Sequence, residues 1–236
     1  MEHGQIIAIG LQLVFGFAPA SAVAILNRMN PVLVCFAVNE EAQAFRRILG
    51  QRPQTKALVT GIGRQNARTA VRKVLEFEMP PLVLSCGFAG GLNPELKIGD
   101  LVFSTKDRSL REKLEFAGAK AAEFYCADRV AVTAAEKAEL RRTTGADVVE
   151  MESEAIHALC RERGIPCATV RVISDTANED LPLDFNRLSN PDSSLNYGKL
   201  ALAVAKSPGK IPALLRLQRH SRLAAERLAQ VLGKIL

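Results

Sequence analysis

Apolar and polar positions along this chain fall into repeating blocks. From Pro31 the run PVLVCFAV is continuously apolar, as a strand buried on both faces requires. The polar turn NEE follows, and AQAFRRIL then returns its apolar residues at helical spacing. The same unit recurs downstream. A strand over Ala57 to Thr60 runs into Gly61-Ile62-Gly63-Arg64 and a helix over Gln65 to Glu76. After Pro80-Pro81, a strand over Leu82 to Ser85 enters Cys86-Gly87-Phe88-Ala89-Gly90-Gly91-Leu92, and Leu96 to Phe103 reads as a turn feeding another strand. Between Val148 and Asp180 a turn carrying Glu150, Glu152 and Glu154 enters a helix of about 11 residues. A Gly-Ile-Pro stop at Gly164 to Pro166 ends it, and an apolar strand over Ala168 to Ile173 closes on Ser174-Asp175. Strands alternating with helices predict an α/β fold, and an acid at a strand's carboxyl end is where such folds place their sites. Leu195 to Ala205 and Ile211 to Leu236 predict two amphipathic helices split by Ser207-Pro208-Gly209.

The first residues do not fit the alternation. Gln5 to Leu26 is apolar, interrupted by Gln12, Gly16 and Pro19, and reads as a membrane anchor, a signal peptide with a cleavage site near Ala18-Pro19-Ala20, or a dispensable extension. Met-Glu-His-Gly lacks the positive n-region of a signal, and Met29-Asn30-Pro31 leads straight into the first strand, so residues 1–28 are read as an extension and 29–236 as a single domain.

Composition narrows the class. Of 236 residues, 48% are apolar and 24% charged, which is ordinary for a globular chain and argues against disorder. The net charge of +6 is concentrated late: from Ser193 onward eight Lys or Arg face one acid, Glu226. Such a tail is either a solvated helix face or a surface for an anionic partner. The five cysteines are odd in number and form no C-x-x-C pair, which points to a reducing, cytoplasmic setting without a zinc site.

Several residues have two readings on pattern alone. Glu40 and Glu41 meet a helix N-terminus, where they complement its dipole or, alternatively, activate a water. Gly61-Ile62-Gly63 before a helix either turns the chain or offers backbone N–H groups to a ligand, with Gly63 the nearer to the helix; a full dinucleotide fingerprint is absent, so no cofactor is expected. Asp175 is a strand-end cap or an acid in a site.

The AGGL-N-P-x-L-K-x-GDLV pattern, followed in order by VVEMESEAI and RVISD, resembles the purine nucleoside phosphorylase and nucleosidase superfamily. The match spans about Pro31 to Asp180 and is most similar to the nucleosidases that act on 5′-methylthioadenosine and S-adenosylhomocysteine. The resemblance implies a three-layer α/β/α sandwich around a mixed, twisted sheet, and a small-molecule nucleoside as partner. It makes Asp175, held by Ser174, the acid that protonates purine N7, and Glu41 the water-activating base. Met151 and Glu152 would bind the ribose, Arg171 would lie near it, and Phe88, Ala89, Gly90 and Gly63 would line the substrate. No metal or other cofactor follows from it, nor any nucleic-acid partner; a homodimer does.

Phosphorylases of this superfamily hold phosphate with an Arg and a Ser near the strand equivalent to Leu82 to Gly87. They also use a Gly-rich first-strand loop with its own Arg. Here those places carry Ser85, Phe88 and the acidic Asn39-Glu40-Glu41. Carboxylates repel phosphate, so hydrolysis is expected; Arg64 and Arg171 keep phosphate open as a co-substrate. Three features depart from the nucleosidase pattern: bulky Phe88, a short Ser104 to Val130 stretch, and Arg129-Val130-Ala131 where a purine-stacking aromatic is expected. With the basic apolar tail they resemble the hopanoid-associated branch, which implies an adenosylated lipid as an alternative substrate and contact with a membrane surface. A non-catalytic nucleoside-binding protein is the third reading, disfavoured by the two placed acids.

Overall fold

The computed structural model describes residues 30–50, 54–188, 190 and 196–236; the apolar extension read in residues 1–28 lies outside these. Among these residues eight strands form one mixed sheet. In chain order the elements are β1 (Val32–Phe36), α1 (Asn39–Leu49), β2 (Thr55–Val59), α2 (Arg64–Leu75), β3 (Val83–Gly91), β4 (Leu101–Thr105), α3 (Arg108–Phe116), β5 (Lys120–Ala121) and β6 (Phe124–Cys126). There follow α4 (Ala134–Thr144), β7 (Val148–Glu150), α5 (Ser153–Glu162), β8 (Cys167–Asp175), α6 (Phe185–Leu188), α7 (Tyr197–Lys206) and α8 (Ile211–Ile235).

The strand order is β2-β1-β3-β8-β4-β5, with β7 branching from β3 and carrying β6. β1, β2, β3 and β8 run parallel, whereas β4 lies antiparallel to β8 and β7 antiparallel to β3. Alternation along β1 divides the core into two layers. Val34 and Phe36 face α1 and α8 together with Leu84, Val170, Val172 and Leu228. Leu33 and Cys35 face α2 and α5 with Val71, Leu75, Ile156 and Leu159. The three-layer α/β/α arrangement therefore follows from the period of two in each strand.

Two strands run further than their sequence pattern suggests. β3 continues through the glycine run to Gly91 because β8 pairs with it as far as Asp175, with a bulge between Ala89 and Gly90. β8 correspondingly includes Ser174 and Asp175 instead of ending before them. Glycine weakens a strand in isolation, so the pattern reads as a loop; a neighbour's ladder overrides that preference. Among the described residues no helix is long and apolar enough to cross a membrane.

Candidate active site

Glu41 sits in the first turn of α1 but does not point into solvent. Its Oε2 accepts from the backbone N–H groups of Ala37 at 2.8 Å and Val38 at 3.2 Å, and its Oε1 accepts from Phe88 N–H at 2.7 Å. Val38 is the N-cap of α1 and Ala37 the residue before it, so the carboxylate at the third helical position reaches back to N–H groups that the helix itself does not satisfy, as in a capping box. Glu41 thereby ties the end of β1 to β3. Burial raises its pKa above the ordinary glutamate value, against the opposing pull of Arg171 and the three backbone donors.

Arg171 lies beneath this carboxylate, 1% exposed, in the middle of β8. Its Nη2 donates to Glu150 Oε2 at 2.6 Å, to Glu152 Oε2 at 3.2 Å and to Ser85 Oγ at 3.2 Å. Glu150 also accepts from the backbone N–H groups of Glu152 and Ser153 and from Ser153 Oγ. It is thus the helix-start carboxylate the sequence suggests and, beyond that, the main counter-ion of Arg171. Burial pushes Glu150 upward, but Arg171 and Ser153 outweigh it and hold the carboxyl below the ordinary range.

Glu152 is the more exposed partner of the pair, and Gly63 N–H donates to its Oε1 at 2.8 Å. Its pKa is pushed up to about 7, first by burial and then by the nearby charges of Glu150 and Glu41, with Arg171 opposing. The Gly-x-Gly before α2 therefore presents a backbone donor, and in this structure it meets a side chain of the protein. Met151 precedes Glu152 in the turn between β7 and α5.

Asp175 closes the site from the other side. Ser174 Oγ donates to its Oδ1 at 2.8 Å, and Lys137 Nζ lies 2.6 Å from its Oδ2. The β3 segment from Gly87 to Gly90 runs between the two acids. Phe88 N–H bonds Glu41, while a Cβ built on Gly90 would stand 3.2 Å from Asp175 Oδ2 and 3.1 Å from Val149 Cγ1. Glycine at position 90 is what lets the acid lie against the strand. The structure thus brings Glu41, Gly63, Phe88, Gly90, Glu152, Arg171, Ser174 and Asp175 to one end of the sheet. The sequence reading missed Lys137, a lone lysine in a polar helix with nothing local to mark it as buried.

Both arginines that could serve phosphate are engaged by protein groups. Arg171 is spent on acids, and Arg64 pairs with Glu154 at 3.1 Å and Asp128 at 3.4 Å and donates to the Cys126 carbonyl. At Arg129-Val130-Ala131, the Asn186 carboxamide takes the Val130 N–H at 2.9 Å and donates to its carbonyl at 3.0 Å. Among the described residues, no group of three or more His, Cys, Asp or Glu side chains could hold a metal ion, and all five cysteines are free.

The family model described as the phosphorylase superfamily matches residues 36–129 and 107–206, which contain every side chain of this site. The chain belongs to the phosphorylase superfamily. Within that family it is 29% identical over 176 residues to the 5′-methylthioadenosine/S-adenosylhomocysteine nucleosidase of Shewanella halifaxensis (strain HAW-EB4), covering 59% of this chain and 76% of that one. It is 28% identical over 158 residues to the aminodeoxyfutalosine nucleosidase of Campylobacter jejuni, covering 53% of this chain and 69% of the relative. Among solved structures, the 5′-methylthioadenosine/S-adenosylhomocysteine nucleosidase of Neisseria meningitidis, in complex with methylthio-immucillin-A, superposes with a TM-score of 0.67 at 19% identity. That superposition covers 87% of this chain and 98% of the other, and it carries the fold.

Proposed function

We propose that this phosphorylase-superfamily chain is a purine nucleosidase that hydrolyses the N-glycosidic bond of adenine nucleosides of the 5′-methylthioadenosine and S-adenosylhomocysteine type. The observation that carries the choice of water over phosphate is the engagement of both arginines. Arg171 is paired with the buried Glu150 and Glu152, and Arg64 with the exposed Glu154 and Asp128, so carboxylates already stand beside both cations that an anion would need. The named relatives, nucleosidases acting on adenine-containing nucleosides, support the same reading.

The roles follow from charge development. Adenine leaves poorly as an anion, so Asp175 gives a proton to purine N7 as the bond to the ribosyl carbon breaks and positive charge grows on the sugar. Glu152 accepts from the ribose hydroxyls. Glu41, made more basic by burial, takes a proton from the water whose oxygen bonds to that carbon. Acid and base on opposite sides of the sugar parallel the inverting glycosidase arrangement. Adenine release from 5′-methylthioadenosine and S-adenosylhomocysteine tests this, with and without phosphate, beside Asp175→Asn. Phosphate-independent release that the variant loses is expected; strictly phosphate-dependent release would overturn hydrolysis.

One feature favours a second reading, an adenosylated lipid as substrate. A groove of about 670 Å³ runs between α1 and α8, lined by Phe88, Leu215, Arg219 and Arg222 among others. Along α8, Leu215 and Leu223 are 55% and 58% exposed next to Arg216 and Arg222, as on helices that lie at anionic bilayers. Co-sedimentation with anionic vesicles tests this reading, and its absence at low salt counts against it.

A further inference from the structure

Lys137 is the least expected buried group in the molecule. It stands in α4, a helix whose other described positions are largely exposed or half-buried, yet its own side chain is 0% exposed. Removing an ammonium from water is strongly unfavourable unless each of its protons finds an acceptor. Here all three do. Nζ lies 2.6 Å from Asp175 Oδ2, and it donates to the Thr176 carbonyl at 2.7 Å and to the Glu179 carbonyl at 2.9 Å.

The three acceptors belong to one piece of chain, the end of β8 and the turn that follows. Glu179 reinforces that turn, accepting from Thr176 N–H at 3.2 Å and Thr176 Oγ1 at 2.9 Å. Ala134 N–H, at the start of α4, also donates to Asp180 Oδ1 at 2.8 Å. The helix is therefore fastened to the turn at two points one helical turn apart. Only the Lys137 contact reaches the acid. With Ser174 on Oδ1 and Lys137 on Oδ2, both carboxylate oxygens of Asp175 are held, which leaves its side chain little rotational freedom.

We propose that Lys137 is a positioning residue for the glycosidic cleavage, holding Asp175 and the turn behind it in the orientation from which N7 receives its proton. This rests on the function proposed above and deepens it. When Asp175 gives up its proton the carboxylate forms directly against the Lys137 ammonium, so the charge created in the step is met by one already in place, without reorganisation. An apolar residue of similar length would fill the space but leave Oδ2 and the Glu179 carbonyl without the donor that Lys137 supplies, and the Thr176 carbonyl with the Glu179 N–H alone.

The test is a mutational cycle read in steady-state adenine release from 5′-methylthioadenosine, using Lys137→Met, Lys137→Arg, Asp175→Asn and the Lys137→Met/Asp175→Asn double variant. The expected result is a fall in kcat of about ten- to a hundredfold for Lys137→Met with KM changed less than about threefold. Lys137→Arg is expected to regain a substantial part of kcat, and the double variant to be no slower than Asp175→Asn. Losses that multiply in the double variant, an unchanged kcat in Lys137→Met, or no rescue by arginine despite an unchanged melting temperature would each overturn the proposal. Where Lys137→Met does not fold, the cycle is run with Lys137→Arg, and multiplying losses there overturn it equally. A wild-type protein that releases no adenine would overturn the nucleosidase reading and this inference together, whereas an active wild type beside an unaffected Lys137→Met overturns the inference alone.

Discussion

A Cβ on Gly87 would lie 2.5 Å from Glu41 Oε1 and 2.9 Å from Arg171 Nη1, so at this point of β3 a hydrogen is all that fits between strand and site. The backbone there also adopts φ +147°, a conformation L side chains rarely take. Gly87→Ala is expected to cost about 1–3 kcal/mol in urea unfolding and, on the role proposed for Glu41, to depress adenine release at least tenfold, because relieving the overlap displaces its carboxylate. A variant with wild-type kcat would mean that Glu41 is free to move without consequence.

Replacing Arg171 with Met should be among the most damaging single changes. It leaves Glu41, Glu150 and Glu152 facing one another in the interior with no cation, and breaking a buried pair of this kind costs about 3–5 kcal/mol. Chemical denaturation measures it. A loss below about 1 kcal/mol would mean that the carboxylates are solvated or protonated in the folded protein.

Glu41→Gln separates base from brace. A carboxamide still accepts from Phe88 N–H, but its nitrogen then faces the Ala37 and Val38 N–H groups that Oε2 now serves. The expected outcome is a loss of about a hundredfold or more in kcat together with about 1–3 kcal/mol of stability. Stability falling while kcat holds would leave Glu41 a purely structural carboxylate.

Glu152 gives the protein a pH dependence of definite sign. With its pKa pushed up to about 7, the folded protein holds a proton that the unfolded chain has released at any pH between the ordinary glutamate value and about 7. The associated stability is present below that window and is lost as pH rises through it. Glu152→Gln lacks this titration. Its melting temperature relative to wild type should therefore rise between pH 5 and pH 8, and a pH-independent difference would refute the shift. In activity the role proposed for Glu152 reverses the sign: ionised, it would be the better acceptor for ribose hydroxyls, so the acid limb of kcat/KM should fall away below about 7 in wild type.

Much of the site could be read from the chain because its parts sit in local signals. Glu41 follows a buried strand directly, Glu152 opens a helix, Asp175 ends an apolar run, and the glycines cluster where strand and acid must approach. Arg64 shows the limit of such reading: an arginine after Gly-x-Gly looks free for an anion until Glu154 and Asp128, ninety and sixty-four positions further along, are seen to occupy it. The glycine run was legible as flexible backbone but not as strand, since what makes it strand is the β8 ladder.

By itself the sequence determined the α/β alternation, the two apolar faces of β1, the turn chemistry and which acids stand at element ends. These are set by periods of 2.0 and 3.6 residues and by φ/ψ limits, all of them local. Tertiary structure decided which charges meet. It placed Arg171 under three carboxylates from α1, β7 and the start of α5, and it withdrew the Lys137 ammonium from water to hold Asp175 from a helix thirty-eight positions upstream. Charge pairing acts through space and across low dielectric, and nothing in the local order of residues encodes which lysine of a polar helix will be the one turned inward.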